Sequence, residues 1–187
     1  MVDPGDGTDR RGDRSADRSV LADFMRQVSD GLVADGSAIS DHTFTYGRAV
    51  IASLRTRKWY GPVAVVTVVV AVRSVTAEVY NQALGDAVDL ARRAHGSTMA
   101  RGLSVVVVVA GETVSADAKA EALQRRPTKY GTGFMDAGAF VWPAVADLAS
   151  GEALFYRGPL TVGRFGSDWV RQKLEVALGP LRPPGSS

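Results

Sequence analysis

The chain of 187 residues contains no cysteine and only two histidines, His42 and His95. The first absence excludes thiol catalysis, disulfides and cysteine-based zinc sites, and it leaves the redox compartment open. The second removes closely spaced imidazole ligands, since the two are far apart and neither stands in a Ser and Asp arrangement that resembles a triad. An excess of one charge is also lacking: 22 Lys and Arg face 20 Asp and Glu, a formal +2, too little to imply a polyanionic partner for the whole chain. A spanning helix needs about 20 consecutive apolar residues. The run GPVAVVTVVVAV at 61–72 is shorter, with Arg55, Arg57 and Lys58 before it and Arg73 after it, so no transmembrane segment is expected. The opening MVDPGDGTDRRGDRSADRS alternates acid and base with no apolar stretch behind it; no secretory signal is expected, and the chain is placed in the cytoplasm.

What is present is valine. The run at 61–72 and a second, LSVVVVVAG at 103–111, are apolar at nearly every position. Valine is stiff at its first side-chain torsion and favours the pleated surface of a sheet. A strand wet on one face alternates apolar and polar residues, so runs without alternation require cover on both faces and belong at the centre of a sheet. Between them Val75, Val79, Ala83, Leu84, Ala87, Val88 and Ala91 recur at helical spacing, with Gly96 as a stop. Strand, helix and strand in that order predict a crossover that makes the two strands parallel neighbours.

The rest reads in the same way. Residues 1–17, rich in Asp, Arg and Gly, are expected to form a disordered tail, 18–180 a single domain, and 181–187 a flexible end. Val20, Leu21, Phe24, Met25, Val28 and Leu32 form the stripe of a first amphipathic helix. HTFTYGRAVIASLRT reads as a strand or strand pair. SADAKAEALQRR is a short helix that Pro127 ends, with TKYGTG a loop after it. GAFVWPAVADL and EALFYRG flank Ala149, Ser150 and Gly151 as a hairpin, in which Pro143 marks an irregular or edge position. A last helix follows, capped by Ser167, with Trp169, Val170, Leu174 and Leu178 facing inward. The sum is an α+β fold: a mixed sheet of about five strands with helices packed on it.

Two places suggest chemistry. Ligands of such sheets gather beyond the carboxyl ends of the parallel strands, which selects Arg73, Ser74 and Thr76, and Gly111, Glu112, Thr113, Ser115, Asp117 and Lys119. Glu112, Asp117 and Lys119 are the residue types with which a phosphodiesterase holds Mg²⁺ and steadies a phosphate, although no third ligand can be named. The bland account is a helix start whose acids suit its dipole. RTRKWYG, with Arg55, Arg57, Lys58, Trp59 and Tyr60, mixes cations with stacking rings in the manner of a single-strand nucleic-acid or membrane-surface patch, and Arg92, Arg93, Arg125, Arg126, Lys129 and Tyr130 are candidates to extend it. Against this, positive turns are common devices for blocking sheet edges. YGTGFMDAG lacks the glycine order of a dinucleotide site.

Aromatic residues crowd the late hairpin: Phe134, Phe140, Val141, Trp142, Leu154, Phe155 and Tyr156. They bury either against the domain's own helices or against a partner. The leading expectation is a non-enzymatic interaction or assembly domain that binds a protein or a second copy of itself through Trp142, Phe155 and an exposed sheet edge. The alternative is a nucleic-acid-associated protein or metal-dependent phosphodiesterase that uses Arg57, Lys58 and Trp59 with Glu112 and Asp117. No cofactor is implied.

Overall fold

A computed structural model describes residues 20–58, 61–95, 103–130, 139–158, 164–179 and 181. The elements run α1 (Val20–Ala34), β1 (Ala38–Phe44), β2 (Gly47–Lys58), β3 (Gly61–Val75), α2 (Ala77–His95), β4 (Leu103–Val114), α3 (Ala116–Gln124), β5 (Thr128–Tyr130), β6 (Ala139–Asp147), β7 (Glu152–Leu154) and α4 (Arg164–Leu178). Seven strands form one sheet in the order β1-β2-β3-β4-β6-β5, with β7 also on β6. β1, β2 and β3 are antiparallel, β3, β4 and β6 are parallel, and β5 and β7 return antiparallel to β6.

The valine runs are β3 and β4, adjacent and parallel in the middle of this sheet, with α2 between them in sequence. Their lack of alternation has the expected cause. Val66, Val68 and Val70 of β3 join Val105, Val107 and Val109 of β4 under α2 and α3. Val65, Val69, Val106, Val108 and Ala110 point to the other face, where Phe24, Val28 and Leu32 of α1 and Val170, Leu174 and Leu178 of α4 cover them. Burying one such side chain contributes about 1.5–3 kcal/mol, so two adjacent strands buried on both faces carry much of the driving force. The fold is α+β, with helices on both sides of a mixed sheet. No described helix is long and apolar enough to cross a membrane.

Several boundaries differ from the sequence expectation. The strand pair admitted after α1 is present as β1 and β2, turning at Thr45 and Tyr46, but it starts at Ala38 rather than His42. TKY, expected to be loop, is β5, because β6 offers it a free edge at Ala139–Val141. Pro143 lies in an interior strand, opposite Val107 of β4; on its other side the β5 pairing stops at Val141 and the β7 pairing starts at Val145, so its missing N–H falls in a gap between two ladders. Ser167 does not cap α4, which begins three residues earlier at Arg164. Ser115 does cap α3, its hydroxyl accepting from the Ala118 N–H at 3.2 Å. Leu181, the first residue of the expected flexible end, packs partly buried against the α1/α4 core. The expected tail at 1–17, the Gly96 stop and the YGTGFMDAG loop beyond Tyr130 lie outside the described residues.

Candidate functional site

At the carboxyl ends of β3, β4 and β6 two ion pairs form, Arg73 with Glu112 and Lys119 with Asp147. Gly111 packs so closely that a Cβ there would stand 2.6 Å from Val75 Cγ2, and its carbonyl accepts from the Leu148 N–H at 3.0 Å. Arg73 is 93% exposed and reaches Glu112 at 3.8 Å, a long surface contact. Asp117 is exposed in the first turn of α3, where its charge suits the helix dipole. Lys119, on α3 rather than on a strand, turns onto Asp147 at the end of β6. Asp147 is 3% exposed, and its Oδ1 accepts from the backbone N–H groups of Ala149 (3.1 Å) and Ser150 (3.4 Å). Burial pushes the Asp147 carboxyl up, but the hydrogen bonds from Lys119 and Ser150 and the ammonium charge outweigh it and hold the group below the ordinary carboxylate range. Thus the cation that would steady a phosphate neutralises a buried acid that also shapes the β6–β7 turn. Among the described residues no group of three His, Asp or Glu is placed to hold a metal.

Asp147 was absent from the candidates. Its local signal, an Asp followed by Leu-Ala-Ser-Gly between two apolar strands, is that of a side chain bonding its own turn; the 28-residue separation from Lys119 carries no such signal.

The basic candidates divide. Arg57 and Lys58 end β2, paired with Pro62 and Gly61 of β3. β1 pairs with β2 only as far as Ser53, and β4 joins β3 from Ala64, so Thr56–Lys58 and Gly61–Val63 form a short two-stranded ribbon that neither flanks among the described residues. Trp59 and Tyr60 lie outside the described residues. The proposed extension is not drawn to this ribbon: Arg125 lies over the Tyr80 ring at 5.6 Å and Arg126 over Tyr156 at 5.5 Å, near Thr128 and Pro143.

The aromatic candidates are core. Trp142 and Phe155, each 7% exposed, join the cluster under α1 and α4, and Phe140 packs against Trp142 at 5.5 Å between ring centres. The domain's own helices satisfy these rings, so they offer no surface to a partner. Among the described residues the Trp142 Nε1–H has no hydrogen-bond partner.

What remains open is the β1 end of the sheet. Among the described residues β1 pairs with β2 alone, and its first four residues are exposed. It contains no Lys, Pro or bulge, and its one charged side chain is the exposed Asp41. On the α1 face beside it runs a groove of about 350 Å³ lined by Met25, Ser29, Asp41, Arg48, Val50 and Ala71, among others. Ala22, Met25 and Ser29 face this groove, and Val33, one turn further along the same stripe, is 52% exposed. Ile39 on β1 is 42% exposed. The opposite end of the sheet is short and stepped, with three residues each in β5 and β7.

Comparison with protein-family models, with curated proteins and with solved structures finds no match. The class that fold and surface define is an α+β domain whose sheet, among the described residues, ends in one long edge strand, β1.

Proposed function

We propose that this chain is a non-enzymatic interaction domain that assembles with further copies of itself through the β1 edge. The observation that supports the reading is the contrast between the two ends of the sheet. One is a seven-residue strand that carries a single charge, Asp41, with a groove alongside; the other, among the described residues, is broken into three-residue pieces. An edge of that kind presents a row of backbone donors and acceptors that another strand satisfies. A contact of this extent falls below the standard interface, which buries about 1,600 Å², so the association is concentration-dependent with a Kd between about 1 µM and 1 mM.

Sedimentation of the full chain across that range tests it. Average mass is expected to rise with concentration and to fall back in an edge-blocked variant. Successive residues of an edge strand alternate the direction of their N–H groups, so one of His42→Pro and Thr43→Pro removes only an outward donor and leaves the β2 ladder whole. That variant is expected to melt like the parent and to stay monomeric. A parent that remains monomeric at about 1 mM refutes the reading.

A second reading has one observation in its favour. The β2–β3 ribbon carries Arg57 and Lys58 beyond the described parts of the neighbouring strands, the form in which two-stranded arms reach a nucleic-acid groove. Retention on DNA or RNA that weakens steeply with salt, and weakens in a triple replacement of Arg57, Lys58 and Trp59, supports it. Unchanged affinity in that variant removes the ribbon from consideration.

A further inference from the structure

We infer that two copies join antiparallel at β1 about His42, so that Asp41 of each copy faces the Thr43–Arg48 row of the other. The inference rests on the self-association reading and adds its geometry. Two identical edges that meet side by side around a two-fold axis perpendicular to the sheet run antiparallel and keep the same faces up. A residue on one β1 then lies opposite a residue of its own face on the other, which restricts the join to alternate registers.

Charge decides among them. Asp41, Thr43 and Arg48 share the α1 face, because Asp41 pairs with Val50 and Thr43 with Arg48, and Asp41 and Arg48 both line the groove on that face. Asp41 and Arg48 are both exposed, and neither has an ion-pair partner among the described residues. A join centred on Asp41 sets two carboxylates directly opposite each other, which is unfavourable. A join centred on Ser40 sets Asp41 against Ile39 and Ala52, a row with no cation. The join centred on His42 sets Asp41 against Thr43 of the second copy, with Arg48 of that copy one strand further in. Two strand spacings are about 10 Å, within the combined reach of an Asp and an Arg side chain. The two-fold axis makes the pairing twice over. It also brings the two grooves side by side, with Ile39 and the exposed stripe of α1 on the joined face.

The absence of cysteine makes the test clean, because a single introduced thiol is unique. In the otherwise unchanged full chain, His42→Cys places two sulfurs opposite each other across the axis, at the Cα separation of directly opposed strand residues, about 4.5–5.5 Å, which a disulfide spans. Under mild oxidation His42→Cys is expected to cross-link to a dimer at least tenfold faster than Asp41→Cys or Ser40→Cys. A charge swap gives a second readout: Asp41→Arg alone lowers the average mass in sedimentation, and Asp41→Arg with Arg48→Asp restores it. Faster cross-linking at residue 40 or 41, or a charge swap without rescue, overturns the register while a rising parent mass leaves self-association standing. A parent that stays monomeric overturns both. A monomer whose outward β1 amides are nonetheless slow to exchange places another segment of the chain on this edge and overturns the proposal as well.

Discussion

Lys119 and Asp147 join α3 to the end of β6, and replacing Lys119 by Met isolates what that contact contributes. The substitution keeps the aliphatic stem and removes the charge. It leaves Asp147, 5% exposed at its side chain, with two backbone hydrogen bonds and no counter-ion. Stripping one partner from a fully buried pair costs about 3–5 kcal/mol. Here the loss is smaller, since the Lys119 side chain is 31% exposed and the turn amides still hold the carboxylate, which leaves about 2–3 kcal/mol. In a domain of this size that is a drop in Tm of about 4–12 °C, read by circular dichroism melting at pH 7. The pH dependence sharpens the test. A carboxyl held low in the fold contributes stability that is present above its unfolded pKa and lost as pH falls through the folded value. The gap between parent and Lys119→Met is therefore full at neutrality and narrows on acidification through the carboxylate range. In an Asp147→Asn background the same substitution has little effect. A Tm within a degree of the parent at pH 7, or a gap equally large in acid, would show that the pair is incidental.

Three further outcomes follow from packing and titration. A Cβ at Gly47 would stand 2.3 Å from the Ala71 carbonyl oxygen, so Gly47→Ala opens the β2–β3 pairing at the end beside the β1–β2 turn and costs at least about 2 kcal/mol in urea unfolding; a neutral result contradicts the close approach. Trp142→Phe gives up apolar area but removes a buried indole N–H without a partner, so its net cost is under about 2 kcal/mol by the same assay, against about 3–5 kcal/mol for a typical large core truncation. The Tyr46 hydroxyl donates to Asp86 at 3.0 Å, and burial, that hydrogen bond and the Asp86 charge raise its pKa above the ordinary phenol value. A raised group contributes stability below its unfolded pKa, about 10, that is lost as pH climbs through the folded value. Tyr46→Phe is expected to flatten the alkaline loss of stability, and an unchanged alkaline limb would refute this.

The centre of the sheet is legible in the sequence because interior parallel strands must be apolar at both parities, a demand that Val65–Val72 and Val105–Val109 meet in plain view. The periphery is not. Thr128, Lys129 and Tyr130 look like loop because a three-residue strand is too short to show a period, and only the free edge of β6 makes it one. Arg125 and Arg126 look like extensions of a basic patch, yet each settles on an aromatic ring of its own domain, a choice set by three-dimensional neighbours. Trp142 and Phe155 announce burial without saying against what; α1 and α4 supply the answer. Lys119 carries the right chemistry for a phosphate site, and its diversion to Asp147 depends on how α3 lies across the end of β6.

One face of the sheet is closed by α1 and α4, the first and last of the described helices, which meet through the Lys173–Asp35 pair across 138 residues. A ribosome that has delivered everything up to β7 has released both inner helices, but Val106, Val108 and Ala146 still lack Val170, Leu174 and Leu178 above them. The nascent chain thus carries an oily plateau until α4 emerges. A stalled or prematurely stopped product lacking α4 becomes a client for chaperones and proteases, even though every strand it needs has already been made.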